Sequence, residues 1–165
     1  MIKNLSIIAA GTIIIGGVIL FAHHRSKIEI VPAGDRAYHD AEYQFSLDYP
    51  ADLNLNKTDE GGGASTLTFE SADGTKGFEI FVVPYAESSV SDDRFHHDEP
   101  SGVRNNLATT SIDGEVVSTF NGFNFALGDT YEAWFIHGGY LFEIATTKDL
   151  EAWLREILKT LTFTK

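Results

Sequence analysis

The feature that most constrains the fold is a pair of glycines, Gly138 and Gly139, between two strand-like runs in the last third of the chain. Adjacent glycines supply the positive φ angles that a two-residue hairpin turn needs. The turn predicts a register in which Trp134 pairs with Glu143. Because both runs are apolar on both faces, we predict that this hairpin lies centrally in an antiparallel sheet with material packed on each side.

An amphipathic helix is predicted directly after the hairpin. Apolar residues recur there at the spacing of one helical stripe: Leu150, Trp153, Leu154, Ile157, Leu158 and Leu161. Thr146 or Thr147 is positioned to cap the start of the helix, and Glu151 is spaced for an ion pair with Arg155. Trp153 is predicted to be a core residue in the layer that covers the sheet.

Further strand signals precede this region. Residues 43–50 alternate between apolar and polar types, which predicts a half-buried strand. Residues 78–85 are apolar on both faces and predict another central strand. Asp113 and Gly114 predict a hairpin turn. Residues 123–127 fit either a short strand or an ordered loop.

The N-terminal segment predicts a membrane anchor. Residues 5–22 contain no charge and approach the ~20 residues that a helix needs to span a bilayer. A signal peptide has a shorter apolar region of about 7–15 residues, so we predict that the segment stays uncleaved. The predicted organisation is an anchor with a basic flank over residues 1–27, a linker over 28–37 and one α+β domain over 38–165.

Charge divides sharply along the chain. Residues 28–165 hold nine basic and all 24 acidic residues, a formal charge of −15. This balance argues against binding to nucleic acid and against lying on anionic lipid. Basic residues flank residues 5–22 almost equally, but a single anchor ahead of a small β-rich domain usually exports that domain. We therefore predict a single-pass membrane protein whose globular domain is extracytoplasmic.

Five stretches, taken in order, resemble the PsbP-like proteins: the alternation of residues 43–50, IDG at 112–114, EAWF at 132–135, GGYLFEI at 138–144 and ILKTLTF at 157–163. The family includes the extrinsic subunit of the oxygen-evolving complex and membrane-tethered bacterial proteins. The resemblance covers residues 41–164 and implies an antiparallel sheet flanked by helices on both faces, an α/β/α sandwich. It implies no enzyme activity. A Trp that often follows the first strand in the family is absent here, where Asp52 and Leu53 stand.

One acidic and histidine-rich stretch is a candidate metal site. Its residues are Asp92, Asp93, His96, His97, Asp98 and Glu99. The carboxylates would suit Ca²⁺, whereas the histidines would suit Zn²⁺ with a third ligand such as His39. The DxDxDG calcium-loop spacing is absent. The alternative interpretation is a solvated acidic loop without a ligand.

A second candidate is the pair Glu132 and Glu143, which the predicted register places diagonally on one face of the hairpin. Paired carboxylates can act as acid and base in glycoside hydrolysis. We predict instead that both lie at the rim of the sheet with Lys or Arg partners. The chain has no cysteine and no G-x-S-x-G motif, so no catalytic residue is assigned.

The predicted function is a non-catalytic, membrane-tethered, extracytoplasmic accessory domain. It would bind a protein partner that the sequence does not identify, and the lipid bilayer through residues 5–22. The alternative is a metal-binding or metal-dependent enzyme that uses residues 92–99, or a carboxylate-based hydrolase. An accessory domain should show a shallow apolar patch, whereas an enzyme should show a pocket with convergent polar groups.

Overall fold

The computed structural model describes residues 34–164. The strands of this part are β1 (Asp35–Asp40), β2 (Phe45–Pro50), β3 (Leu53–Gly61), β4 (Ala64–Ser71), β5 (Gly77–Pro84), β6 (Asn105–Ile112), β7 (Glu115–Asn124), β8 (Gly128–His137), β9 (Tyr140–Thr147) and β10 (Thr162–Phe163). The helices are α1 (Asp92–Asp98) and α2 (Glu151–Leu158), and a single 3₁₀ turn (Lys148–Leu150) precedes α2.

The strands form two antiparallel sheets. The larger has seven strands in the order β3-β4-β5-β9-β8-β7-β6, and the smaller has three in the order β1-β2-β10. Trp134 pairs with Glu143 across β8 and β9, as the turn predicts. Gly138 and Gly139 have φ angles of 59° and 85°, which confirms the two-glycine turn. β9 lies at the centre of the large sheet, so the central position of the hairpin is also confirmed.

The main core lies between the two sheets. The face of the large sheet that carries Phe135 and Phe142 is called the core face, and β2 packs on it through Phe45. The rings of Phe45 and Phe142 meet edge to face at 5.6 Å. The alternation of residues 43–50 is confirmed, because Phe45, Leu47 and Tyr49 are buried while Asp48 between them is exposed.

Helix α2 completes the layer over the core face. Its apolar stripe buries Leu154, Ile157 and Leu158 in the main core. Trp153 packs against the same core but stays partly exposed, with its ring 5.8 Å from Phe78. The helix begins one turn later than the sequence suggests, because a 3₁₀ turn occupies Lys148–Leu150. Thr147 precedes that turn, and its side chain caps neither element.

The predicted α/β/α sandwich with helices flanking both faces of the sheet is wrong. The described chain is 57% strand and 14% helix, with only two short helices. The layer over the core face is mostly the three-stranded sheet, since the β1 segment and the chain end both pair with β2. The opposite face is covered in part by the seven-residue α1, which buries Phe95, and by Val90, which precedes the helix. The broader class, α+β with antiparallel sheets, is confirmed.

The predicted N-terminal anchor and its basic flank lie outside the described residues. Among residues 34–164, neither helix has the length and apolar character that a membrane span requires. Residues 35–37, at the end of the predicted linker, lie in β1 and pair with β2.

Candidate functional site

The face of the large sheet opposite the core, called here the groove face, carries the chain's second apolar cluster. Phe95 of α1 packs on Phe120 of β7 and Trp134 of β8, with ring centroids 5.7 Å from each. Ser91 caps the helix by accepting a hydrogen bond from the Arg94 amide at 3.1 Å. The cap fixes where α1 begins, and Phe95 packs the helix against the sheet.

An apolar groove of about 410 Å³ opens beside α1 on this face. Phe120 and Trp134 form its floor, and Val90 and Phe95 line the α1 side. Leu107 and Val116 line the β6–β7 side and are 58% and 70% exposed. Removing large apolar side chains from water lowers the free energy. The rim formed by Leu107 and Val116 is therefore suited to contact another molecule.

The charged side chains that line the groove are already engaged. Arg104 stacks on the ring of Phe95 at 4.3 Å, and its Nη2 lies 3.5 Å from Asp92 Oδ1. Glu115 Oε1 lies 2.8 Å from His137 Nδ1. These groups therefore do not converge on a common point in the groove, as an acid–base pair in an active site would.

A buried cluster of acids lies beneath α1 on the same face. We call it the carboxyl cluster, and it consists of Asp98, Glu99, Glu132 and Glu143 around Arg94. β8 and β9 supply Glu132 and Glu143, and α1 and its C-terminal turn supply the others. Arg94 contacts Asp98, and its Nη2 lies 3.5 Å from Glu143 Oε1. Arg94 thus contacts two of the four carboxyl groups in the cluster.

Gly122 of β7 provides the space into which the cluster packs. A Cβ atom at this position would lie 2.8 Å from Thr130 Oγ1, 3.0 Å from Glu99 Oε2 and 3.3 Å from Glu132 Cγ. Ser101 Oγ donates a hydrogen bond to Glu99 Oε1 at 2.5 Å, and Trp134 Nε1 donates to Glu132 Oε2 at 3.3 Å. Thr130 Oγ1 and Glu143 Oε1 are buried without a hydrogen bond of standard geometry.

Burial shifts the proton affinity of these acids. Burial raises the pKa of Glu132 to about 7, although the nearby Thr130 hydroxyl and the hydrogen bond from Trp134 oppose the rise. Burial, and then the adjacent Asp98 carboxyl group, hold the pKa of Glu143 well above its usual range. Burial also raises the pKa of Glu99. On the neighbouring strand β5, burial and then Glu60 raise the pKa of Glu79 to about 7.

The structure divides the predicted metal-binding stretch. Asp92, Asp93, His96 and His97 lie on the exposed side of α1, whereas Asp98 and Glu99 turn inward to the carboxyl cluster. His96 Nδ1 is 2.7 Å from the Asp92 carbonyl oxygen. His39, the suggested third zinc ligand, lies on β1 beside Ser46, in the three-stranded sheet on the core face.

Within residues 34–164, no three His, Asp or Glu side chains are arranged to hold a metal ion. The six residues of the stretch therefore do not form one ligand set in this arrangement. Binding of Ca²⁺ or Zn²⁺ by them stays a prediction.

The rim position predicted for Glu132 and Glu143 is wrong, because both side chains are buried. The predicted Arg partner is found for Glu143, whose carboxylate faces Arg94. Both acids lie on interior strands of the large sheet and α1 covers them, so neither is at an edge of the sheet. A helix rather than an open cleft lies above them, which leaves no room for a sugar between the carboxyl groups.

A second cavity of about 410 Å³ lies on the core face, between α2 and β6–β8. Tyr131 lies at its floor with the Arg155 guanidinium 4.6 Å from the ring centre. Arg155 also pairs with Glu151 on the same helix, so the charge is satisfied locally. This cavity contains no exposed large apolar side chain.

No family model and no curated protein matches this chain. Among solved structures, the chain is similar to the solution structure of cyanobacterial PsbP (CyanoP) from Synechocystis sp. PCC 6803. The two share a TM-score of 0.56 and 14% sequence identity over 84% of this chain and 98% of the other. At this identity the similarity is one of fold.

Proposed function

Because the chain has a PsbP-like fold, we propose that it is a non-catalytic accessory domain that binds a protein partner through the groove beside α1. The observation that carries this proposal is the exposure of Leu107 and Val116 at the edge of an aromatic-floored groove. Exposed apolar side chains that border a concave surface are typical of protein contact sites.

The polar groups support binding over catalysis. Arg104 and Glu115 line the groove, but their charged partners, Asp92 and His137, lie outside it. The acids with raised pKa values lie under α1 rather than in the groove. A catalytic reading would need a titratable group within reach of a bound substrate, and the groove offers none that is free.

The neighbouring edge strand indicates what kind of segment the groove receives. β6 is the last strand of the large sheet, and residues 105–111 are exposed and carry no charge. An uncharged open edge can pair with another strand. A partner segment in extended conformation would add to β6 and place alternate apolar side chains against Leu107 and Val116.

We further propose that residues 5–22 tether this domain to a membrane with the domain on the extracytoplasmic side. The support is the uncharged 18-residue run in the sequence. Carbonate extraction should leave the full chain in the membrane pellet, and an externally added protease should digest the domain in cells whose outer barrier is opened. A mature protein that begins near His23 would contradict the tether.

Partner binding is tested by the size of the native complex. The full chain, solubilised from native membranes in mild detergent, should migrate as a complex larger than the monomer on a native gel. Leu107→Asp combined with Val116→Asp should shift it to the monomer, because two charges would then lie on the contact surface. Phe125→Asp is the matched control, since Phe125 is 84% exposed but is not part of the groove.

A further inference from the structure

We propose that α1 is a proton-controlled cover: it stays on the groove face while Glu99, Glu132 and Glu143 of the carboxyl cluster hold protons, and it lifts when those glutamates ionise. Few apolar contacts hold α1 against the sheet. The helix has seven residues and buries only Phe95. Two further contacts with the sheet run through the cluster: Arg94 lies near Glu143, and Glu99 enters the space beside Gly122.

The groups that face one another between α1 and the sheet are strongly unbalanced in charge. From the sheet, β8 contributes Glu132 and β9 contributes Glu143. β5 contributes Glu79, which pairs with Ala145 of β9 and so lies diagonal to Glu143. From above, α1 contributes Arg94 and Asp98, and its C-terminal turn contributes Glu99. The facing part of β7 contributes Phe120 and Gly122, which do not titrate.

If Glu99, Glu132 and Glu143 were all ionised, they would place three negative charges in a buried space where Arg94 already pairs with Asp98. Like charges at this range repel strongly in a low dielectric, so the compact arrangement requires bound protons. Thr130 Oγ1 and Glu143 Oε1 are buried and lack a hydrogen bond of standard geometry. A protonated carboxyl group can donate a hydrogen bond to a neighbouring carboxyl oxygen such as Glu143 Oε1, whereas a carboxylate has no proton to donate.

The direction of the pH dependence follows from the raised pKa values. A carboxyl group whose pKa is raised in the folded chain stabilises the seated helix fully below its unfolded pKa, near 4.5. That stabilisation is lost as the pH rises through about 7, the value for Glu132 and Glu79. α1 is therefore expected to be seated in mild acid and to lift in mild base.

Lifting of α1 would change the groove. Phe95 and Val90 form its α1 side and cover Trp134 and Phe120. Their departure would widen the groove and uncover its aromatic floor. This consequence for partner binding rests on the proposed function, whereas the movement of α1 does not.

The test follows the accessibility of Trp134. The chain has two tryptophans, so Trp153→Phe leaves Trp134 as the single reporter. Acrylamide quenching of the full chain in non-ionic detergent, without any partner, is measured from about pH 5 to about pH 8.5. The quenching constant is used rather than intensity, because protonation of Glu132 beside the indole changes intensity directly. We expect the constant to rise with a midpoint near pH 7. An unchanged constant would overturn the proposal.

The matched variants separate a local movement from general unfolding. Glu132→Gln with Glu143→Gln should abolish the rise and keep Trp134 shielded at high pH. Glu156→Gln should keep the rise, since Glu156 lies on the exposed side of α2. A rise that persists in the double variant, or one accompanied by loss of the β-sheet circular dichroism signal, would refute a cover controlled by this cluster.

A second readout needs no variant. The Glu99 amide donates a hydrogen bond to the Phe95 carbonyl at 2.8 Å and reports the last turn of α1. Its hydrogen exchange, corrected for the intrinsic effect of pH, should lose protection above pH 7 while the Phe142 amide in the central strand β9 stays protected. Equal protection of the Glu99 amide at both ends of the pH range would contradict the proposal. Failure of the native-gel test alone would refute partner binding and leave this movement unaffected.

Discussion

Gly122 and Glu99 are so close that a Cβ atom on the glycine would lie 3.0 Å from Glu99 Oε2. The same atom would lie 2.8 Å from Thr130 Oγ1. The absence of a side chain on β7 is therefore what allows a glutamate from the turn after α1 to reach the sheet. The glycine thus helps α1 to seat over the carboxyl cluster.

Gly122→Ala is expected to destabilise the chain by about 1–3 kcal/mol, the usual cost of adding a methyl group to a packed site. Chemical denaturation with a sheet signal measures it. Gly34→Ala is the matched control, because nothing lies within 4 Å of the Cβ position there. Equal unfolding midpoints for both variants would show that Glu99 does not pack against Gly122.

Glu132→Gln is expected to raise stability in mild base and to leave it nearly unchanged in mild acid. The pKa of Glu132 is raised from 4.5 to about 7, so the native chain loses stability as the pH rises through this range. Removing the charge should recover up to about 3 kcal/mol at pH 8. Denaturation curves at several pH values measure the effect, with Glu156→Gln as the exposed control. A pH-independent effect of Glu132→Gln would contradict the raised pKa.

The hairpin of β8 and β9 could be predicted from the sequence because its turn chemistry is local. Gly138 and Gly139 fix the register, and the register then fixes which residues share a face. The turn at Asp113 and Gly114 was predictable for the same reason. Each depends on residues that are adjacent in the chain.

The layer over the core face could not be predicted in the same way, because it depends on contacts between residues that are distant in the chain. β10 is only two residues long, and β1 lies where the sequence suggests a linker, so neither signals the three-stranded sheet by itself. The burial of Glu132 and Glu143 was missed because the general preference of glutamate for the surface was applied to them. Their position in a hairpin predicted to be covered on both faces was the signal that could have revealed it.

Leu154→Ala is expected to cost more stability than Trp153→Ala, although tryptophan is the larger residue. Leu154 is fully buried in the main core, and its truncation should cost about 2–5 kcal/mol. Trp153 is partly exposed and packs on one side, with Lys76 Nζ 4.4 Å from its ring. Thermal denaturation of the two variants measures the order. The reverse order would mean that α2 is rotated from the position described.

Gly139→Val is expected to destabilise the chain by about 1–3 kcal/mol, because a β-branched residue is strained at a φ of 85°. Gly138→Asn is the matched control. Gly138 has a φ of 59°, which lies in the left-handed region that asparagine tolerates, and Asn-Gly is a favoured hairpin turn. Unfolding midpoints should fall for Gly139→Val and change little for Gly138→Asn. A larger loss for the asparagine variant would place the turn elsewhere.

The most direct test of the docking groove is site-specific photo-crosslinking in native membranes. A photoreactive amino acid is placed separately at Val116, at Leu107 and at the control position Phe125, all of which are exposed. We expect Val116 and Leu107 to give one discrete adduct containing the same partner peptide, and Phe125 not to give it. Adducts that are absent at both groove positions, or identical at all three, would contradict a partner site in the groove.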